Sequence, residues 1–422
     1  MVLGRSNGWG DTLAYGFAHL GKSLFWYGSE VLFAFFLTSL IGLPPEQMGY
    51  VLAIGLASSA VIDVAVGFRL RGVLANARSA ARLQLAGSIL CAAAFVSVFA
   101  GFWIPMEARF AYAVAAGIAF RVAYAFYDIP QNALMALATA DGEARDRLAA
   151  TRIWFSGAAT LLVALAVGPL IAARDADGAA LFLKLSCVIA APAVLAAGVL
   201  TWRIERAASR FGTQASVSDL PASRLTPAFG LMIALMVITS LFTPLYAKVE
   251  PFFAAYVLQS PTLGGAIILS MAAGLALGQP LWARTCARFG RTSTLGIAAV
   301  FQVLALTAAL PFSGSIAVLI VTGFVFGMGN GGVGMVLWGA FSAVAARDAR
   351  GRESIVYGYF TATAKLSLAV GGLGLGAALG LFDYRGDEAS HLMWLMMGVP
   401  LVGAIACLLV AVLWSRAKMP SR

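Results

Sequence analysis

Twelve times along this chain some twenty or more residues pass with at most a few charges, and short polar connections, several of them rich in arginine, separate the runs. About twenty helical residues cross a hydrocarbon core roughly 30 Å thick, so the pattern describes a chain that enters a bilayer again and again. In lipid every backbone amide needs an internal partner, which leaves only helices or a closed barrel. Barrel strands alternate polar and apolar residues, whereas these runs are continuously apolar. The expected fold class is an all-α membrane protein with twelve transmembrane helices. Composition excludes a soluble globular domain: 61% of the 422 residues are hydrophobic and 11% are charged, against about 25% charged in soluble proteins.

The expected helices lie near 13–41, 46–68, 83–104, 108–138, 151–173 and 178–202, then 227–258, 263–283, 292–312, 315–345, 354–382 and 391–415. Connections after the even-numbered helices carry the basic residues: Arg69, Arg71, Arg78 and Arg82; Arg145 and Arg147; Arg203, Arg206, Arg210 and Arg224; Arg284, Arg288 and Arg291; Arg347 and Arg350. The opposite connections carry little beyond Arg109, Arg174 and Arg385. The positive-inside rule then puts both termini in the cytoplasm of a multi-pass protein of the cytoplasmic (inner) membrane. The net charge of +10 is spread over these connections and not gathered on one face, so no nucleic-acid partner is expected. The first fifteen residues lack the pattern of a cleaved signal peptide. Residues 203–226, without an apolar period, read as a cytoplasmic linker between bundles at 1–202 and 227–422. The halves echo one another, since Asp146-Arg147…Arg152 returns about 200 residues later as Asp348-Ala-Arg350-Gly-Arg352-Glu353.

Polar residues inside such helices are costly, at least about 2.5–3.5 kcal/mol for a charge, and mark function. Two stripes stand out. The first helix carries Tyr15, His19, Lys22, Trp26 and Glu30 at spacings of four, three, four and four, which is one helical face. The fourth carries Arg121, Tyr124 and Asp128 at spacings of three and four, either lining a solvated cavity or forming a buried ion pair. Asp63 is a lone carboxylate among β-branched residues, fit for proton coupling or for pairing with a cation. Lys248 and Glu250 point to different sides of their helix, so each needs its own partner, and Lys365 stands in the eleventh helix. Cys91, Cys187, Cys286 and Cys407 read as small core residues, and the glycines at 329–334 and 371–376 as close-packing sites. Two histidines and no H-E-x-x-H leave neither a metal site nor an enzyme to be read, and the chain is read as having no ATP-binding loop and no cofactor.

Tyr127-Asp-Ile-Pro130 with Arg152, Arg352-Glu-Ser-Ile-Val-Tyr357 with Lys365, and Leu13-Ala-Tyr-Gly-Phe17…Gly21-Lys22 resemble the glycoside–pentoside–hexuronide:cation symporters, the melibiose-permease branch of the major facilitator superfamily. The resemblance implies two six-helix bundles, a secondary transporter working by alternating access as a monomer, and a sugar, glycoside or uronide substrate. It places Lys22, Tyr124, Asp128 and Arg152 around the sugar, Asp63 at the coupling-cation site and Lys365 as the matching lysine. The departures carry information too. Ser23 replaces a second sugar-binding aspartate, Val66 and Gly67 replace two cation ligands, Ala125 replaces a threonine and Asn132 an aromatic residue. A hard cation needs several oxygens at once, so a proton is expected as coupling ion in preference to sodium. Five intramembrane cations (Lys22, Arg121, Arg152, Lys248, Lys365) stand against four carboxylates (Glu30, Asp63, Asp128, Glu250). That excess, with Arg121 as a planar clamp, leads to the expectation of an anionic solute such as a uronide. The alternatives are a lysolipid-like or other amphiphilic anion as substrate, or a membrane sensor or assembly factor that transports nothing.

Overall fold

The computed structural model describes residues 9–69, 77–137, 142–172, 175–208, 227–312, 315–348 and 353–416. Among them the regular structure is helical throughout. The helices are α1 Trp9–Phe35, α2 Pro45–Arg69, α3 Ala77–Phe99, α4 Arg109–Leu137, α5 Gly142–Ala172, α6 Ala176–Ala208, α7 Pro227–Phe242, α8 Leu245–Tyr256, α9 Pro261–Leu277, α10 Gln279–Ala309, α11 Ile316–Asp348 and α12 Glu353–Gly380. The last, α13, is Val399–Arg416, led in by His391–Met393 and the π turn Trp394–Gly398. Among the described residues eleven helical segments are long and apolar enough to cross a membrane, and Thr262–Leu277 is a shorter apolar helix. Large apolar residues such as Val61, Trp154, Leu195, Val321 and Leu381 are exposed, as lipid-facing side chains must be.

Several boundaries differ from the sequence expectation for identifiable reasons. The expected helix at 227–258 is broken into α7 and α8, because Pro244 has no N–H to continue the ladder; the chain turns there and Lys248 N donates to Pro244 O at 3.0 Å. The basic stretch at 284–291, expected as a connection, is helical up to Gly290, whose φ of +79° and ψ of 170° only glycine adopts without strain. The expected linker also starts late, since α6 continues through Arg203 and Arg206 to Ala208. Its remainder at 209–226 lies outside the described residues, as do Arg71, Arg174, Arg350 and Arg352. Cys91 and Cys407 are buried as expected, but Cys187 is exposed and Cys286 only half-buried; Cys187 sits beside the exposed Val188 on an apolar helix face, where a small thiol has no need of the interior, and Cys286 lies in the basic stretch between Arg284 and Arg288.

Packing in the first six spans recurs in the last six. In the first, α1 lies against α5 and α6, α3 against α4 and α6, and α2 against α4. In the second, α7 lies against α12 and α13, α10 against α11 and α13, and α9 against α11. The two sets meet along α2·α12 and α5·α9, and α1 meets α8. Lipid supplies no hydrophobic drive between helices, so close contact must come from small residues and interlocking rings. Phe33, Phe36, Phe95, Phe99, Phe120 and Phe182 form such a ring cluster, with centroids 5.0–5.9 Å apart.

The α2·α12 seam depends on glycine. A Cβ on Gly376 would stand 2.6 Å from Pro45 O and 2.8 Å from Gly49 Cα, backbone atoms that cannot step aside. Gly376→Leu is therefore expected to wedge the seam apart, at a cost of about 1–3 kcal/mol. A drop in the thermal midpoint of the purified variant, with Gly374→Leu as the control because nothing stands within 4 Å of that position, measures it.

Candidate functional site

The two polar stripes face each other. Helices α1 and α4 make little direct backbone contact, and long side chains bridge them as rungs. Lys22 Nζ stands 2.6 Å from Asp128 Oδ1. Eight residues further along α1, about 12 Å by helical rise, Arg121 Nη2 donates to Glu30 Oε1 at 2.7 Å. Between these rungs the Trp26 and Tyr124 rings pack with centroids 5.4 Å apart. The Arg121 guanidinium lies 5.1 Å from the Trp26 ring centre and 5.4 Å from that of Phe120, distances at which cation and ring attract.

Around Asp128 the polar groups converge. Asn132 accepts from Lys22 at 3.0 Å through Oδ1 and donates to Asp128 at 3.0 Å through Nδ2, so its amide closes a three-membered polar cluster. One turn towards the start of α1, His19 spans Gln131 Oε1 at 3.3 Å and Ser156 Oγ at 2.9 Å, and Ser23 Oγ lies 3.3 Å from the same serine. Lys22 is buried, while the Asp128 side chain keeps 22% of its surface. Arg152 on α5 is half-buried, and its charge acts on Lys22, Asp128 and Tyr124. Lys22, Tyr124 and Asp128 thus come together, with Arg152 near enough for its charge to act on them.

Arg121 and Lys365, also expected in the site, pair with other carboxylates, although the Lys365 charge acts on Lys22 and Asp128 as that of Arg152 does. Arg121 is engaged with Glu30 and stacked on Trp26, not directed at Asp128. Lys365 meets Asp63 in an ion pair across the α2·α12 seam and donates to Ser59 Oγ at 3.0 Å, so the proposed coupling carboxylate has a lysine partner, with Oδ1 left unbonded. Lys248 Nζ stands 3.0 Å from Glu30 Oε2, which makes Glu30 a carboxylate shared by two cations, one from each set of six spans. Among the described residues neither carboxyl oxygen of Glu250 has a hydrogen-bond partner and no cation pairs with it, contrary to expectation. Sequence reasoning named neither Asn132, Gln131 and Ser156 as contributors nor Glu30 as a hub. The spacing 22, 26, 30 against 121, 124, 128 was the available signal for the hub, because two stripes of matching period with the same charge order along the chain, cation first and carboxylate last, pair when their helices run antiparallel.

The stretch Gly16-Phe-Ala-His-Leu-Gly21-Lys22-Ser23 also has the spacing of a phosphate-binding loop. It sits in mid-helix, where its amides are held by the helical ladder, so it cannot cradle a nucleotide as a loop between strand and helix would. Its glycines serve packing: a Cβ on Gly21 would stand 2.7 Å from Ala193 Cα of α6.

One end of the α1·α8 contact is latched. Ser39 Oγ lies 3.3 Å from the Tyr256 hydroxyl, Arg385 Nη2 donates to Thr38 O at 2.9 Å, and the Phe252 ring packs on Phe35 and Tyr384. Burial raises the Tyr384 phenol above its ordinary range, against the pull of neighbouring Arg385, and it therefore stays neutral here.

Residues 14–421 match the family described as MFS/sugar transport protein. The chain belongs to that family. It is 21% identical over 387 residues to an Escherichia coli K12 protein named as the glycoside/cation symporter YagG, covering 90% of this chain and 84% of that one. Its fold is similar to that of a D-xylose–proton symporter, with a TM-score of 0.67 and 15% identity over 94% of this chain and 96% of that one. The nucleoside transporter NupG follows at 0.59 and 14% identity over 97% and 100%. A bacterial homologue of the iron transporter ferroportin, solved facing inward, scores 0.63 at 13% identity over 96% and 97%. This is a multi-pass membrane protein of the major-facilitator fold, and its family and neighbours are membrane transporters.

Proposed function

We propose that the protein is a symporter that moves a sugar, glycoside or uronide-like solute across the cytoplasmic membrane by alternating access, with both termini cytoplasmic. The bundles at 1–202 and 227–422 would rock about the fixed site between them. The observation that carries this reading is the cluster of Lys22, Asp128 and Asn132 beside Arg152: a polar site built in the hydrocarbon-spanning part of the chain, with its carboxylate still partly exposed. Hydroxyl-rich solutes suit such a mixture of donors and acceptors.

The charges support a preference for anions, with Arg152 in the role that the sequence suggested for Arg121. Lys22, Arg121, Lys248 and Lys365 each have a carboxylate in contact, and Arg152 has none among the described residues. A solute carboxylate would supply it. The test is uptake and binding across methyl β-D-glucuronide, methyl β-D-glucoside and a lysophospholipid in proteoliposomes. Glucuronide is expected to bind about tenfold tighter than the neutral glucoside, roughly 1.4 kcal/mol, and Arg152→Gln to remove the difference. Preference for the lysophospholipid would reassign the substrate, and no uptake of any compound would favour a non-transporting role.

For the driving ion we propose a proton, exchanged at Asp63 as the α2·α12 seam parts and Lys365 withdraws. Uptake should then follow an imposed pH gradient in sodium-free buffer. A steep, saturable sodium dependence at fixed pH would overturn this reading.

A further inference from the structure

Glu250 is the one intramembrane carboxylate that no cation meets among the described residues. It is 0% exposed, and neither carboxyl oxygen has a hydrogen-bond partner. The Tyr246 hydroxyl, one turn back on α8, is likewise fully buried and unbonded. Around them the neighbours are small: a Cβ on Gly264 of α9 would meet Glu250 Oε1 at 2.9 Å, and one on Gly323 of α11 would meet Ser270 Oγ at 2.5 Å and the Tyr246 hydroxyl at 3.4 Å. The carboxyl thus occupies a space kept open by glycine, with a phenol nearby and a serine further along α9.

The ionisable groups of the surrounding elements do not neutralise it. On α8 itself Lys248 is held by Glu30 of α1, and that glutamate is in turn shared with Arg121 of α4. From residue 153 onwards α5 has no ionisable residue, nor has α9, nor has the π turn before α13. His391, at the start of that lead-in, packs edge-on against Phe382. On α11 the residue facing Tyr246 is Phe326, stacked at 4.7 Å. The first turn of α9 offers at most its positive end. An anion in this place would forfeit its hydration with no charge or donor in return, whereas a proton on either oxygen removes most of that cost.

We infer that Glu250 is a proton-binding site, occupied in the conformation seen here, separate from Asp63 and from the solute cluster. Its position on α8 says when the proton can exchange. The Lys248·Glu30 pair and the Ser39·Tyr256 contact hold α8 to α1 and the π turn that extends it, and Arg385 of the connection after α12 ties to the same turn at Thr38, so parting of the halves at that end opens Glu250 to water, and closure seals the proton in. The inference rests on the transporter reading for this exchange step, but the occupied site can be tested without it.

The experiment is infrared difference spectroscopy of the full chain in proteoliposomes, stepping between acid and neutral buffer in H2O and D2O. The wild type at neutral pH should show the carbonyl stretch of a protonated carboxylic acid, slow to shift in D2O. Glu250→Gln should lack it, Asp63→Asn should keep it, and Tyr246→Phe should move its frequency. Absence of the band in the wild type, or its persistence in Glu250→Gln, overturns the inference. Should Glu250→Gln fail to insert, Glu250→Asp takes its place: it keeps an acid and displaces the band, and a band unmoved in Glu250→Asp overturns the inference. A parallel measurement of pH-driven glucuronide uptake keeps the two ideas apart: a wild type with the band but no uptake removes the solute assignment and leaves the proton site standing.

Discussion

Asp128→Asn should reduce solute uptake by roughly 100-fold or more while leaving insertion and folding intact. The substitution keeps the shape and one acceptor, yet it removes the counter-charge 2.6 Å from Lys22. A hydrogen bond to a charged group is worth about 1.5–3 kcal/mol, about a tenfold to hundredfold effect, and a solute hydroxyl bound by the same carboxylate loses a similar amount. Folding survives because Lys22 retains Asn132 and Asp128 is not sealed from solvent. Uptake in proteoliposomes, paired with the monodispersity and thermal midpoint of the purified variant, checks both halves of the statement. Uptake equal to the wild type would remove Asp128 from the solute site.

That cluster was largely readable before any coordinates. Lys22, Asp128 and Arg152 are conspicuous because a charge is expensive in such helices, Tyr124 because it shares the Asp128 face, and their grouping around one solute came from the resemblance to the symporter family. Asn132 was harder, because an uncharged amide near a helix end carries no such penalty and its part depends on the Lys22 and Asp128 geometry around it. Arg121 and Asp128 share a face in sequence, but Glu30 lies across from Arg121 and takes it. Helical period gives the face and says nothing about which neighbouring helix supplies the partner. Breaks at Pro244 and Gly290 were visible as residues, yet the apolar runs continue through or near them, so hydropathy alone placed the boundaries differently.

Glu30→Gln should be the most destabilising single change in the membrane-spanning part, by about 3–5 kcal/mol, because it leaves two buried cations without their anion. Arg121 Nη2 and Lys248 Nζ stand 2.7 and 3.0 Å from its two oxygens. Removing one cation is a smaller insult: in Arg121→Gln the carboxylate keeps Lys248, and a loss of about 1–3 kcal/mol is expected. The order of the thermal midpoints in detergent, wild type above Arg121→Gln above Glu30→Gln, is the result that checks it. Adding Lys248→Met to the Glu30→Gln variant should recover part of the loss, since one of the stranded charges is then gone. Equal midpoints for Glu30→Gln and the wild type would mean that water reaches the three groups freely.

The facing stripes of α1 and α4 also restrict how those helices can move. Each rung carries the opposite sign order from the other: cation on α1 to anion on α4 at Lys22·Asp128, anion on α1 to cation on α4 at Glu30·Arg121. Sliding α4 along α1 by the length of the ladder sets like charge against like, and any lesser slide strands both rungs and drags the Trp26 and Tyr124 rings past one another. The arrangement behaves as a vernier with one allowed reading. Axial translation between these two helices is blocked, while a change of tilt that lengthens one rung more than the other stays open to them. On the transporter reading proposed above, a motion that exposes the site to the two sides of the membrane should carry α1 and α4 as a unit or hinge them, because a piston stroke of one along the other works against their charge pattern.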